Sequence, residues 1–176
     1  IPMMLKAASE DAGYEGHMVN TASMAGLVCA PNMGVYNVSK HAVVAMTETL
    51  QQDLSLVTDQ IRASVLCPYF VPTGISRSHR NRPDALRSED KPTQSQLIAQ
   101  AMSDKAVSSG KVSAADVAQA TFAAIERSQF YIYSHPNALG PVQTRLEDVL
   151  QGRNPSDPFV SRPEVGEKLR QALRGS

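Results

Sequence analysis

A chain of 176 residues has room for one domain with a real core and too little for a multi-domain enzyme. Its 17 basic and 17 acidic residues cancel and are scattered along the chain, which argues against a nucleic-acid or anionic-membrane surface. No apolar run approaches the ~20 residues that span a bilayer, and the start, IPMMLKAASEDAGYEG, has neither a basic leader nor a long apolar stretch.

Residues 3–12 read as a helix, broken at Gly13 and Gly16. HMVNTAS is a short apolar strand that ends in small polar residues and opens into a loop. From Tyr36 to about Thr58 the period changes: Val43, Met46, Leu50, Leu54 and Val57 recur at steps of three and four, one face of a helix. IRASVLCPYF is a second strand, stopped by Pro68. Residues 72–92 are rich in Pro, Arg, Ser and Asp and read as a mobile or ligand-ordered loop, with a polar helix at 94–107. Ser113 and Asp116 have capping-box spacing ahead of the periodic run Val117, Ala120, Phe122, Ala124, Ile125, which predicts a further helix. FYIYS makes a third strand, and LGPVQTRLEDVLQG and PEVGEKLRQALRG suggest terminal helices. Strands joined by helix-length connections predict a parallel α/β sheet covered on both faces.

Cys29 and Cys67 lie outside any metal-ligand spacing, which fits a reduced, cytoplasmic protein with inert thiols better than a disulfide scaffold. His41 follows Lys40 directly and points ~100° away from it on a helix, as a packing or surface residue. His17, His79 and His135 form no metal-like group. Met3, Met4, Met18, Met24 and Met33 read as core filling in preference to an adaptable substrate wall. Arg77, Arg80 and Arg82 are expected in a solvated loop rather than as a phosphate site.

Chemistry concentrates in SMAGLVCAPNMGVYNVSK, where Ser23 is followed after thirteen residues by Tyr36 and after four more by Lys40. On a helix Tyr36 and Lys40 lie about 40° apart, beside the apolar stripe, pointing toward the body or a cleft. A lysine there is costly unless its charge is used. A tyrosine with its ordinary pKa of about 10 is a poor base near neutrality, but a nearby cation stabilises its phenolate and makes the pair a proton donor and acceptor. Ser23, at the strand end, could then hydrogen-bond a substrate oxygen. The residues alone leave a second reading open, in which the Tyr–Lys pair is ordinary helix surface and the serine a turn residue.

VNTASMAG…YNVSK resembles the active-site signature of the short-chain dehydrogenase/reductase family. The resemblance implies the C-terminal half of a Rossmann-type, doubly wound parallel sheet in three α/β/α layers, using NAD or NADP to interconvert an alcohol and a ketone or aldehyde. It implies Tyr36 as general acid/base and Ser23 as holder of the reacting oxygen. Lys40 would lower the tyrosine pKa and, with Tyr36, meet the nicotinamide ribose. CPYFVPTGI resembles the family's segment after the sixth strand, so Pro68, Val71 by its backbone and Thr73 by its side chain are expected at the cofactor. Tyr69 departs from the usual glycine there and is expected to narrow the nicotinamide pocket. Residues 74–112 match the substrate lid in position.

The TGxxxGxG turn, the residue that chooses NAD or NADP, the NAG segment and the catalytic asparagine are not in this sequence, which starts at Ile1 without an initiator methionine. The chain is therefore expected to be the catalytic part of a longer protein, and the isolated 176 residues to be inactive. The resemblance also implies a homodimer or homotetramer built on the helices at 1–12 and 36–58, with Val44 and Ala45 on the outer side. Rival readings are a dehydratase or epimerase of the same family and a non-catalytic fragment that keeps only those helices. Lysine at position 40 disfavours a dehalogenase, where arginine is expected.

Overall fold

The computed structural model describes residues 1–86 and 90–174. In chain order these form α1 (Pro2–Glu10), β1 (Gly16–Thr21), α2 (Gly34–Ser55), β2 (Ile61–Cys67), α3 (Gln94–Ser108), α4 (Ala114–Glu126), β3 (Tyr131–Tyr133), α5 (Gly140–Leu150) and α6 (Pro163–Arg174), with short 3₁₀ turns between. The three strands are parallel in the order β1-β2-β3, with Gly16 opposite Ile61, Thr21 opposite Leu66 and Val65 opposite Tyr131. This is a Rossmann-type sheet with helices on both faces.

Strand β2 lies between the other two, and all its side chains but that of Arg62 are buried. Ile61, Ala63, Val65 and Cys67 point to the α1/α2 layer, where Ala8 and Leu54 close one end and Ala22, Met24 and Val44 the other. Leu66 points to the opposite layer and packs with Ile132 of β3 and Ala124 of α4. Burying an aliphatic side chain of this size contributes roughly 1.5–3 kcal/mol, so the sheet is held from its centre. No helix among the described residues is long and apolar enough to cross a membrane.

The capping box before α4 forms as its spacing predicts: Asp116 N donates to Ser113 Oγ at 3.1 Å, and Ser113 N donates to Asp116 Oδ2 at 2.9 Å. An equivalent box opens α3 on Thr93 and Gln96. After α5, Asp148 accepts from Arg153 Nε at 3.0 Å and from Ser156 N at 2.9 Å, organising a turn in which Gly152 takes a positive φ of 62°.

The face that α2 buries differs from the sequence expectation. Leu54 packs in the core and Val43 and Leu50 lean on it, but Met46 and Val57 are exposed, and the helix buries Asn37 and Thr47 in their stead. Val44, expected on the outer side, is a core residue against Met24 and Val65. Of the methionines, Met24 is buried, Met4 and Met18 lean on the core, and Met3 stands in solvent. The 72–92 segment carries 3₁₀ turns at Ile75–Asn81 and Asp84–Leu86, and its residues 87–89 lie outside the described residues, as does Gly175 of the predicted last helix.

Candidate active site

Strand β1 delivers Ser23 at its C-terminal end, where extended backbone (φ −177°, ψ 165°) lets the side chain cap the short turn Met24–Gly26. Ser23 Oγ accepts from Ala25 N at 3.1 Å and donates to the Pro68 carbonyl at 3.4 Å. The second bond is long and weak, so the hydroxyl proton is easily redirected to a better acceptor. Met24 N also donates to Pro68 O, at 2.9 Å, tying the turn to the segment that leaves β2.

Tyr36 sits in the first turn of α2 and Lys40 one turn later; both are half-buried. Lys40 reaches back over the phenol, its Nζ 5.6 Å from the ring centroid, and donates to the Thr21 carbonyl at 3.3 Å. Thr21 lies two residues before Ser23, so the lysine touches both the helix start and the strand end. Of the predicted residues the structure thus brings Tyr36 to Lys40, Lys40 to the end of β1, and Ser23 to Pro68.

What holds this arrangement was not apparent in the sequence. Gly26 lies against α2 so closely that a Cβ would stand 2.7 Å from the Lys40 carbonyl oxygen and 2.8 Å from Val44 Cγ2. The serine turn is therefore pressed onto the backbone of the very residue that carries the ammonium. The spacing of Gly26 three residues after Ser23 was the available signal. Asn37 donates to the Ala30 carbonyl at 2.8 Å and pins the loop before the helix, in which Asn32 takes a φ of 60°. His41 Nδ1 donates to the Asn37 carbonyl at 2.9 Å, which makes it a packing residue, as expected. Beneath them, Asn20 of β1 donates to Thr47 Oγ1 at 3.0 Å and Thr47 donates to Val43 O at 2.6 Å, so a buried polar pair sets the register of strand against helix.

The segment after β2 divides in character. Val71 is buried, whereas Thr73 is exposed and its Oγ1 accepts from Ile75 N at 3.3 Å. Tyr69 donates from its backbone to Ser134 Oγ at 2.9 Å, and its ring packs on Phe70 and His135, with centroids 4.5 and 5.6 Å away. Gly110, just before α4, approaches the same segment: a Cβ there would lie 2.5 Å from the Phe70 carbonyl oxygen. Cys67 is buried, and that burial pushes its thiol up to about 11, while Cys29 is exposed; both are free thiols. On the far face His17 is held below its ordinary pKa by burial and by Arg62. Its Nε2 lies 2.7 Å from Ser64 Oγ. That hydroxyl already donates to the Gln129 carbonyl, so the imidazole is the donor and no serine is activated there.

The family model described as short chain dehydrogenase matches residues 1–84. A dehydrogenase/reductase of CLA biosynthesis from Lactiplantibacillus plantarum is 30% identical over 153 residues, 85% of this chain and 51% of its own length. A crystal structure of a short chain dehydrogenase/reductase from Burkholderia phymatum, in complex with NAD, superposes with a TM-score of 0.85 at 51% identity, over 89% of this chain and 54% of that one. The chain belongs to the short-chain dehydrogenase/reductase family. A 1-deoxy-11-beta-hydroxypentalenate dehydrogenase from Streptomyces avermitilis is a further relative of this short-chain dehydrogenase/reductase chain, 32% identical over 78% of it and 41% of its own length. The structure from Novosphingobium aromaticivorans, 23% identical with a TM-score of 0.54, shares the fold. The chain spans about half the length of the relatives it matches.

Proposed function

We propose that this chain is the catalytic half of an NAD(P)-dependent oxidoreductase that interconverts an alcohol and a ketone or aldehyde, with residues 74–112 as its substrate lid. The observation that carries the reading is the placement of Lys40 over the Tyr36 ring and against Thr21, at the strand end from which Ser23 projects. In open parallel sheets ligands bind beyond the carboxyl ends of the strands.

The residues fit the nicotinamide side of the cofactor. Lys40 uses one of its three N–H donors on Thr21 and keeps two for ribose hydroxyls, and the segment from Pro68 through Val71 to Thr73 leaves the adjacent strand end. A nicotinamide bound there would supply the hydride chemistry, as acceptor for the alcohol carbon or donor to the carbonyl. Ser23 directs its hydroxyl proton to the substrate oxygen and fixes its position. Tyr36 takes the alcohol proton during oxidation and gives it back during reduction. The Lys40 ammonium stabilises the negative charge that then develops on the phenol oxygen. The NAD-bound Burkholderia structure and the dehydrogenase names of the relatives support the reading.

Assembly as a homodimer or homotetramer belongs to the same proposal. With Val44 in the core, the outer seam of α2 is Val35, Val38, Ala42, Ala45 and Met46, at steps of three and four. Met3 of α1 is exposed as well. Such a seam is self-complementary about a two-fold axis, and a clean monomer by light scattering at micromolar concentration would refute it. Two free thiols accord with a reducing, cytoplasmic setting.

Tyr36→Phe in the full-length polypeptide tests the chemistry. It removes only the transferable proton, so turnover is lost while cofactor affinity and the melt stay near wild type. Retention of more than about a tenth of the activity, a barrier change under ~1.4 kcal/mol, would exclude Tyr36 as the acid/base. Lys40→Met is expected to lower turnover and cofactor affinity together, and unchanged affinity would remove the ribose contact.

A further inference from the structure

The 75–82 turn carries Arg77, His79, Arg80 and Arg82, and Lys105 of α3 faces it across a depression. The sequence expectation of a merely solvated loop omits what this turn packs on. Gln100 Nε2 of α3 donates to the Ser76 carbonyl at 2.7 Å and to Asp104 Oδ1 at 3.0 Å, stitching turn to helix. Two open depressions of the surface flank this seam. One, of about 420 Å³, is lined by Pro72, Thr73, Ser76, Arg77, Asp104 and Lys105. The other, of about 520 Å³, is lined by His79, Arg82 and Gln100 among others. Since Gln100 borders the second while bonded to Ser76 and Asp104 of the first, the two adjoin across that hydrogen-bonded wall.

The electrostatics of this place are one-sided. Among the described residues Arg77, Arg80, Arg82 and Lys105 form no ion pair, in a chain whose formal net charge is zero. The one carboxylate lining either depression, Asp104, is engaged by Gln100 and held below its ordinary pKa, first by that bond and then by Ser76. In the first depression its single negative charge faces two cations, Arg77 and Lys105. Guanidinium forks match the planar oxygens of a carboxylate and the faces of a phosphate, and a cleft lined by one sign of charge concentrates the opposite ion. Pro72 and Thr73, which line the first depression, continue directly from Pro68, the residue whose carbonyl receives the Ser23 hydroxyl.

We propose that the first of these depressions receives an anionic end of the substrate, a carboxylate or a phosphate carried away from the reacting carbon, with Arg77 and Lys105 as its cationic contacts. This rests on the dehydrogenase reading above. The test compares kcat/KM of the full-length polypeptide for secondary alcohols bearing a terminal carboxylate, the matching methyl ester and the matching phosphate monoester. The better anion is expected to exceed the ester about tenfold or more, with the advantage shrinking as salt is raised. Whichever anion leads identifies the chemistry. The double variant Arg77→Gln, Lys105→Gln should bring the anion-to-ester ratio near unity, and Arg77→Lys should preserve most of it.

Equal rates for anion and ester in the wild type, or a ratio that survives the double variant, would overturn the site while leaving the dehydrogenase reading intact. Failure to oxidise any alcohol would sink the dehydrogenase reading instead. The site is then decided by calorimetric titration with the same carboxylate and phosphate compounds. Binding by the wild type that is lost in the double variant sustains it; no binding by the wild type overturns it.

Discussion

Replacing Gly26 by alanine inserts one methyl where the structure has no space for it. The new carbon would stand 2.7 Å from the Lys40 carbonyl oxygen, 3.0 Å from its carbon and 2.8 Å from Val44 Cγ2, whereas ordinary contact begins at 3.4 Å. Relief requires a separation of roughly 0.7 Å between turn and helix, and neither side yields freely: Lys40 O belongs to the α2 backbone and Val44 is core. Overpacking of this kind costs about 1–3 kcal/mol, which for a domain of this size lowers the melting temperature by roughly 4–8 °C at the middle of that range. The displaced turn carries Ser23 away from Lys40, and misplacement near 1 Å can cost on the order of a hundredfold in rate, so a loss of about tenfold in kcat/KM is expected. Gly34→Ala is the control for the melt, because nothing lies within 4 Å of a Cβ at that first residue of α2, and it should be neutral or stabilising by up to about 1 kcal/mol. Circular-dichroism melts and steady-state kinetics on both variants measure the effects. A Gly26→Ala protein that melts and turns over like wild type would refute the close-approach argument, and one that is destabilised but fully active would refute the link to Ser23.

Thr47→Val removes the acceptor for Asn20 and the donor to Val43 O, leaving a half-buried amide without its partner, and should cost about 1 kcal/mol in urea unfolding; a change within error would show that the pair does not set the strand–helix register. Asp116 and Asp148 are held below the ordinary carboxylate pKa, Asp116 chiefly by Ser113 and Asp148 chiefly by Ser156. The unfolded chain therefore takes up their protons first as pH falls, so their stabilisation is present above about pH 4 and is lost as pH drops through the folded values. The midpoint of acid unfolding should shift upward in Asp148→Asn. At pH 7 a thiol reagent should label exposed Cys29 at once and buried Cys67 only on unfolding, since its thiol is pushed up to about 11; rapid labelling of both would contradict the packing around β2.

Short-range signals were legible and tertiary ones were not. The Tyr36–Lys40 pair, the Ser113–Asp116 cap and the Pro68 stop are each written within about one turn of chain, so they could be read directly, and the Ser23 spacing was legible only through the family signature. The buried face of α2 could not, because Asn37 and Thr47 are admitted to the interior by partners on another element or loop, and Met46 and Val57 are shut out by the lack of them. Val44 was assigned to the outer side for the same reason: its core position depends on the missing Cβ of Gly26, distant in sequence and adjacent in space. The arginines at 77 and 82 look like loop solubilisers until Lys105 and Gln100 of α3 are placed beside them.

The meeting of Gly110 with the Phe70 carbonyl has a consequence for how such a molecule can change over time. The chain leaves the sheet at one point and returns to nearly the same point, so the roughly 40-residue excursion between is a closed loop clasped at its base, and the cost of closing a loop grows only with the logarithm of its length. Residues can be added, removed or exchanged inside it without moving β2, the register of its neighbours or the serine turn bonded to Pro68. Under the lid proposal above, new substrate preferences are sampled by splicing one cassette, while a side chain at Gly110 would unclasp every version of it.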